Sequence, residues 1–206
     1  MLTGVSSSFE YRVFDMLDSI RSQSLTDILS LVTRLGTWWI VAILCLILLI
    51  LPWTRRRFGV PTSFSFGITA IAVAILKPII NRTRPDGNYT GFLPQSFPSG
   101  HAMISTSFFV ALVILMCFML PRYKWVIPFI VLGVIIPIVV SLSRVYLGVH
   151  YAFDIFAGIT LATSIALFTN VLWHIIAIHL SKYKKLRPLH RFIFPKEHWT
   201  DDPSSC

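Results

Sequence analysis

The sequence predicts an all-α protein: a polytopic membrane helical bundle of about five transmembrane helices plus an N-terminal amphipathic interfacial helix. Three observations carry this. Hydrophobic residues make up 55% of the 206-residue chain, and the mean hydropathy is +0.72. Charged residues are only 13%, about half the roughly 25% of a typical soluble chain. The apolar residues are gathered in long runs, several of about twenty residues, the length a helix needs to cross a hydrocarbon core. A single domain over 1–206 is expected, with no internal repeat and no cleavable signal peptide, because the first thirty residues lack a compact apolar region.

Taken in order, residues 8–27 place Phe9, Val13, Phe14, Leu17 and Ile20 at three- and four-residue steps among Glu10, Asp15, Asp18 and Arg21. That pattern predicts a helix lying on the membrane surface, with a partner-binding helix as the alternative. The first span builds from Ile28 and is uninterrupted from Trp38 to Trp53, with tryptophans as interfacial anchors. Thr54-Arg55-Arg56-Arg57 closes it. A second span covers about 60–80, and Pro78 is expected to disfavour helical geometry at Lys77 and bend the chain there. A polar loop follows over 81–97. The third span covers 101–121, where Pro98 and Ser99 act as start signals and Ser99 as the N-cap. A fourth covers 125–142, a short loop 143–151, and a fifth span 152–178. Cys45 and Cys117 fall inside apolar runs and Cys206 ends the chain, so no disulfide framework or metal cluster is suggested.

Five spans put the N-terminus and the loops at 81–100 and 143–151 on one face. The other face collects Arg55, Arg56, Arg57, Arg122, Lys124 and the basic tail 179–206. By the positive-inside rule that second face is cytoplasmic, so the two loops face the periplasm or exterior of a cell (plasma or inner) membrane. The net charge of +9 is therefore mainly a topology signal. It marks neither a nucleic-acid surface nor a nucleic-acid partner, and contact with anionic lipid headgroups is a secondary role.

The outward face gathers Lys77 and Arg84, then Ser99, Gly100 and His101, then Arg144, then His150 and Asp154. Each has a bland explanation. Lys77 and Arg144 could snorkel from helix ends, and Asp154 could simply favour a helix N-terminus. Ionisable residues beside spanning segments are nevertheless expensive, and their convergence on one side favours a site. Three cations and the free N–H groups of a helix start suit a compact, multiply charged anion such as phosphate. Asp154 follows His150 by four residues, so on a helical turn the two share a face. The carboxylate can then take the Nδ1 proton, leaving Nε2 as a nucleophile, with His101 as general acid. The runner-up reading, a metal held by the two histidines and the carboxylate, suffers from the surrounding positive charge. No cofactor and no metal are expected.

Lys77-Pro-Ile-Ile-Asn-Arg-Thr-Arg84-Pro85, Pro98-Ser99-Gly100-His101 and Ser143-Arg144-Val-Tyr-Leu-Gly-Val-His150-Tyr-Ala-Phe-Asp154 resemble the three motifs of the type-2 phosphatidic acid phosphatase family, related to vanadium haloperoxidases and bacterial acid phosphatases. The motifs are complete in residue type, spacing and order over 77–154. The resemblance implies a helical-bundle core and a phosphohistidine mechanism, with His150 as nucleophile, Asp154 orienting it and His101 as acid. It also implies that Lys77, Arg84, Ser99, Gly100 and Arg144 hold the phosphoryl oxygens. Many membrane members have six spans; here the 8–27 helix stands in place of the first, which bears on how a lipid reaches the site. The expected substrate is a lipid phosphate or diphosphate, with undecaprenyl diphosphate favoured over phosphatidylglycerol phosphate or phosphatidic acid. A phosphotransferase, or a protein that binds or transports such lipids without turnover, is the alternative. Intact His101, His150 and Asp154 argue against binding alone.

Overall fold

The computed structural model describes residues 5–85, 94–119 and 123–181. The basic tail from residue 182, Arg122 and the middle of the 81–97 loop lie outside the described residues. Within them the chain forms α1 (Val5–Ser19), α2 (Gln23–Val32), a 3₁₀ turn (Thr33–Gly36), α3 (Trp38–Ile50), a single turn α4 (Pro52–Thr54), a π-helical turn (Arg55–Gly59), α5 (Val60–Ile80), α6 (Gly100–Met119), α7 (Tyr123–Tyr146) and α8 (Ala152–Ser181). Four helical stretches are long and apolar enough to cross a membrane, beginning at Pro52, Gly100, Ile127 and Ala152. The pair α2–α3, bent by 50°, makes a fifth if it is taken as one broken span.

The interfacial helix expected over 8–27 is two helices. Ser22 has extended backbone and its Oγ accepts from the Leu25 N–H at 3.3 Å, so it caps α2 where α1 has just ended. The break is clamped to the end of α7. The Ser22 N–H donates to the Tyr146 hydroxyl at 3.0 Å, and Arg21 donates to the Tyr146 carbonyl at 3.1 Å. After α2 the chain narrows to the 3₁₀ turn and bends at Thr37, so the first span is broken where one helix was expected. At Gly36 a Cβ would stand 2.5 Å from Val140 Cγ1 and 3.1 Å from the His101 carbonyl oxygen. Only glycine allows this turn so close to α6 and α7.

One boundary of the second span moves for a local reason and the other holds. The expected turn at 54–59 is helical and joins α5 without a break, so that span starts at Pro52, a residue suited to a first helical turn. Pro78 is held inside α5, which continues to Ile80 through Lys77. The helix stops where expected, at Asn81, left-handed at φ 47°, whose N–H donates to the Lys77 carbonyl at 2.9 Å. Asparagine is among the few residues that accept this conformation.

At the centre of the bundle, α6 packs against α3, α5, α7 and α8. Val41 and Cys45 of α3 meet Ile104 and Phe108 of α6. Ala102 of α6 packs with Val145 of α7 and Ile155 of α8, whereas toward α5 the contact is polar: Ser107 shares hydrogen bonds with Ser65 (2.9 Å) and Thr69 (2.8 Å). Such interhelical bonds are worth about 0.6 kcal/mol each in a membrane protein, and small side chains let the backbones approach. Ile71, Ile75 and Ile79 of α5 and Phe156, Phe168 and Val171 of α8 are exposed, the apolar exterior that a bilayer would cover.

Candidate active site

The site forms where α5 ends, α6 and α8 begin and α7 turns over. Beyond Asn81 the chain is tied down by an antiparallel bridge between Thr83 and Gln95 and by the Ser96 N–H donating to the Arg82 carbonyl at 2.7 Å. Lys77, in the last turn of α5, is buried and its Nζ donates to the Gln95 carbonyl at 2.7 Å. Gly100 lies beside it: a Cβ there would come within 4.0 Å of Lys77 Cε.

Helix α7 runs four residues further than its expected end at 142, so Ser143 and Arg144 are helical. Its end is made by Gly148 at φ 71°, a conformation suited to glycine. The N–H groups of Val149 and His150 both donate to the Arg144 carbonyl at 3.2 Å. This tight reversal delivers His150 to the start of α8. Arg144 itself is buried, and its Nη1 donates to Thr33 Oγ1 of the 3₁₀ turn at 3.3 Å.

Asp154 is the third residue of α8 and its Oδ2 accepts from the Tyr151 N–H at 2.9 Å, the carboxylate half of a capping box. The same oxygen is 3.4 Å from His150 Nδ1. His150 stands before the helix, so the pair meets through the cap rather than along a shared helical face, which corrects the expected reason for their contact. Oδ1 of Asp154 accepts from Arg82 Nη1 at 2.7 Å. The other end of that guanidinium donates from Nη2 to Glu10 Oε2 of α1 at 2.6 Å, and its carbon lies 4.1 Å from the Tyr151 ring centroid.

On its far side, His150 Nε2 is 3.4 Å from Arg84 Nη1, which also donates to the Val149 carbonyl at 2.8 Å. Burial lowers the pKa of His150, the Arg84 and Arg144 charges push the same way, and Asp154 pulls against them; the result is about 4. The imidazole is therefore neutral at pH 7. With Nδ1 turned to a carboxylate, the proton belongs on Nδ1 and the lone pair on Nε2.

Ser99 stands at the N-cap position of α6 as expected, but its side chain makes no capping bond. Its N–H donates to the Asp154 carbonyl at 3.1 Å and its own carbonyl receives the Met103 N–H at 2.9 Å, while its buried Oγ has no hydrogen-bond partner among the described residues. A buried hydroxyl left unpaired is costly unless a ligand supplies the partner. His101, next on α6, is within electrostatic reach of Arg144, His150, Arg84 and Lys77. Gly36 lies so close that a Cβ there would stand 3.1 Å from the His101 carbonyl oxygen.

All eight residues singled out from the sequence thus stand at one end of the bundle. Three more join them: Glu10 and Thr33 from outside the motifs, and Arg82 from within the first. Arg82, two residues before Arg84 in the first motif, carries a signal in that spacing. Glu10 had been assigned to the polar face of a surface helix; here it is 3% exposed and faces inward. Among the described residues no three His, Cys, Asp or Glu side chains are grouped so as to hold a metal ion.

Known proteins are similar to this chain in sequence and in fold. The sequence model of the PAP2 superfamily matches residues 58–177. Undecaprenyl-diphosphatase of Sulfolobus acidocaldarius is 29% identical over 157 residues, 73% of this chain and 71% of that protein. Phosphatidylglycerophosphatase B of Bacillus subtilis is 30% identical over 153 residues, 69% of this chain and 72% of that protein. The crystal structure of a transmembrane PAP2-type phosphatidylglycerolphosphate phosphatase from Bacillus subtilis superposes with a TM-score of 0.75 at 25% identity, covering 85% of this chain and 89% of that one.

Proposed function

The chain belongs to the PAP2 superfamily, and from that membership and the site we propose a lipid phosphate or diphosphate phosphatase that works without a metal, through a phosphohistidine, at the outer membrane face. The observation that carries the reading is the setting of His150: Nδ1 toward Asp154, Nε2 toward the cationic pocket beside Arg84. Nε2 attacks phosphorus, the bond from phosphorus to the leaving oxygen breaks, and His101 gives that oxygen its proton. Water then attacks the phosphohistidine, the P–N bond breaks, and His101 takes the proton back. Lys77, Arg84 and Arg144 stabilise charge spread over the equatorial oxygens, where most of the catalysis of phosphoryl transfer lies. Ser99 Oγ and the N–H groups opening α6 complete the cradle.

Undecaprenyl diphosphate is the proposed substrate. The Sulfolobus relative acts on it, and a lipid tail in the bilayer would leave the diphosphate at the height of the pocket. The outward orientation is supported by the arginines at 55–57 lying at the other end of the bundle. The test is phosphate release in detergent, with chelator present, from undecaprenyl diphosphate, phosphatidylglycerol phosphate and phosphatidic acid, by wild type and His150→Ala. Release that withstands chelator and falls by roughly 10³-fold or more in the variant is expected. Dependence on an added divalent ion would sink the mechanism, and a phosphorylated acceptor lipid in place of free phosphate would make the protein a transferase.

A further inference from the structure

A carboxylate buried at the membrane interface demands an explanation. Glu10 sits on a helix whose neighbours Phe9, Tyr11 and Met16 are all exposed, yet it is turned inward, and its Oε1 has no hydrogen-bond partner among the described residues. As a staple for α1 this is a poor arrangement, since an apolar residue in the same place would be as stabilising or more so. As the far end of a chain of charges it makes sense. Glu10 Oε2 binds one end of the Arg82 guanidinium (2.6 Å), the other end binds Asp154 Oδ1 (2.7 Å), and Asp154 Oδ2 faces His150 Nδ1 (3.4 Å). Tyr151, stacked under Arg82, fixes the plane of the fork.

We infer that Glu10 and Arg82 are positioning residues of the catalytic site, with Glu10 on the N-terminal helix setting, through Arg82, the orientation and basicity of the Asp154–His150 pair. Two-point contact locks Arg82, and a locked Arg82 leaves Asp154 one oxygen for the imidazole. Charge works in the same line. Arg82 withdraws charge from Asp154, and Glu10 withdraws part of Arg82's own. The pair is thereby tuned from α1, which lies outside the region matched by the family.

This inference rests on the proposal that His150 is the nucleophile, and the experiment separates the two. Phosphate release from dioctanoyl phosphatidic acid in detergent micelles would be measured from pH 3.5 to 8 for wild type, Glu10→Gln, Arg82→Gln, the double variant and His150→Ala. The acidic limb of kcat/KM reports loss of the neutral imidazole. The charged groups around His150 are Arg84 from the loop after α5, His101 on α6, Arg144 on α7 and Asp154 on α8; these and the substrate's own ionisation are common to the Glu10 and Arg82 variants. Removing the Arg82 charge leaves Asp154 more able to stabilise the imidazolium, so the limb moves to higher pH. Removing Glu10 gives Asp154 the whole of Arg82, so the limb moves to lower pH, by roughly half a unit in each case.

Each single variant should lose about tenfold in kcat with KM within about twofold, because neither residue meets the phosphate. In the double variant the Glu10 substitution should cost nothing further, as it acts only through Arg82. Limbs that move the same way, limbs that stay put, or losses that simply multiply would overturn the inference. If His150→Ala is inactive while Glu10→Gln behaves as wild type, only the inference fails; if His150→Ala retains turnover, the catalytic reading beneath it fails. Should Glu10→Gln not fold, Glu10→Asp replaces it. The shorter carboxylate keeps the charge, so the limb should stay at the wild-type pH while kcat falls, and a moved limb would count against the proposal.

Discussion

The two halves of the molecule reach the site by different routes. The half formed by α5–α8 presents Lys77, Arg84, Ser99, His101, Arg144, His150 and Asp154 at helix ends and the turns between them. Among its described residues, the half formed by α1–α3 meets that set through Glu10, Thr33 and Gly36. It packs on the first half from behind: Glu10 on Arg82, Thr33 on Arg144 at 3.3 Å, Gly36 close to the backbone of His101. In one half, residue type decides the chemistry; in the other, contact decides how well that chemistry is aimed. A helix terminus supplies free N–H groups and a place for a capping carboxylate wherever it occurs, so the reacting set can be made locally. Orientation needs a second body to push against.

Substitutions can break this contrast. The largest effect belongs to the α5–α8 half. Asp154→Asn keeps the shape but offers the imidazole no full charge and favours the wrong tautomer, so kcat should fall by roughly 10²–10⁴-fold while the protein remains folded. Comparable turnover in that variant, measured on any lipid it hydrolyses, would remove Asp154 from the mechanism. Gly36→Ala tests the other half. A methyl group 2.5 Å from Val140 Cγ1 forces the turn away from α6 and α7 at a cost of about 1–3 kcal/mol. Thermal unfolding should show a lowered Tm, and kcat should fall through the displaced His101. Pairing it with Val140→Ala should recover part of the stability; the crowding from the His101 carbonyl remains. A Gly36→Ala variant as stable and active as wild type would mean that the turn has slack and aims nothing.

The smallest effect is one of pH on stability. His150 is held at about pKa 4 by burial and by the arginines, below the value of about 6.5 for an unfolded chain. Between those values the unfolded state binds a proton that the native state does not, so stability rises with pH across this window and is lost as pH falls from 6.5 toward 4. Below the lower value both states are protonated and this residue adds nothing more. The difference in Tm between wild type and His150→Gln should therefore change between pH 7 and pH 4.5, and a constant difference would place His150 in a wetter site than the structure gives it.

Much of the α5–α8 half was legible in the sequence because its information is local. Apolar runs announce spans, and three short stretches carry the residues proposed to react at fixed spacing. Even there, local rules misjudged detail. Lys77 stays helical although Pro78 was expected to disfavour that geometry there, and Ser99, at the start of α6, leaves its Oγ without a hydrogen-bond partner among the described residues. The α1–α3 half was legible only in outline. Amphipathic periodicity found a helix in residues 8–27, but nothing in the periodicity says that Glu10 turns inward, because an acidic residue among apolar ones reads the same whether it meets water or a buried arginine.

By itself, then, the sequence determined that the chain is an apolar helical bundle and which residue types stand ready for phosphate chemistry, since both follow from composition and short-range spacing. Only the tertiary structure decided that Arg82 is shared between Glu10 and Asp154, which lie 144 positions apart by their numbering, that His150 meets Asp154 through a helix cap, and that the bend at Thr33–Gly36 bears on Arg144 and His101. The physical reason is that a buried ion pair or a close backbone approach is favourable only when distant segments are held together by packing around it, and that packing belongs to the folded whole.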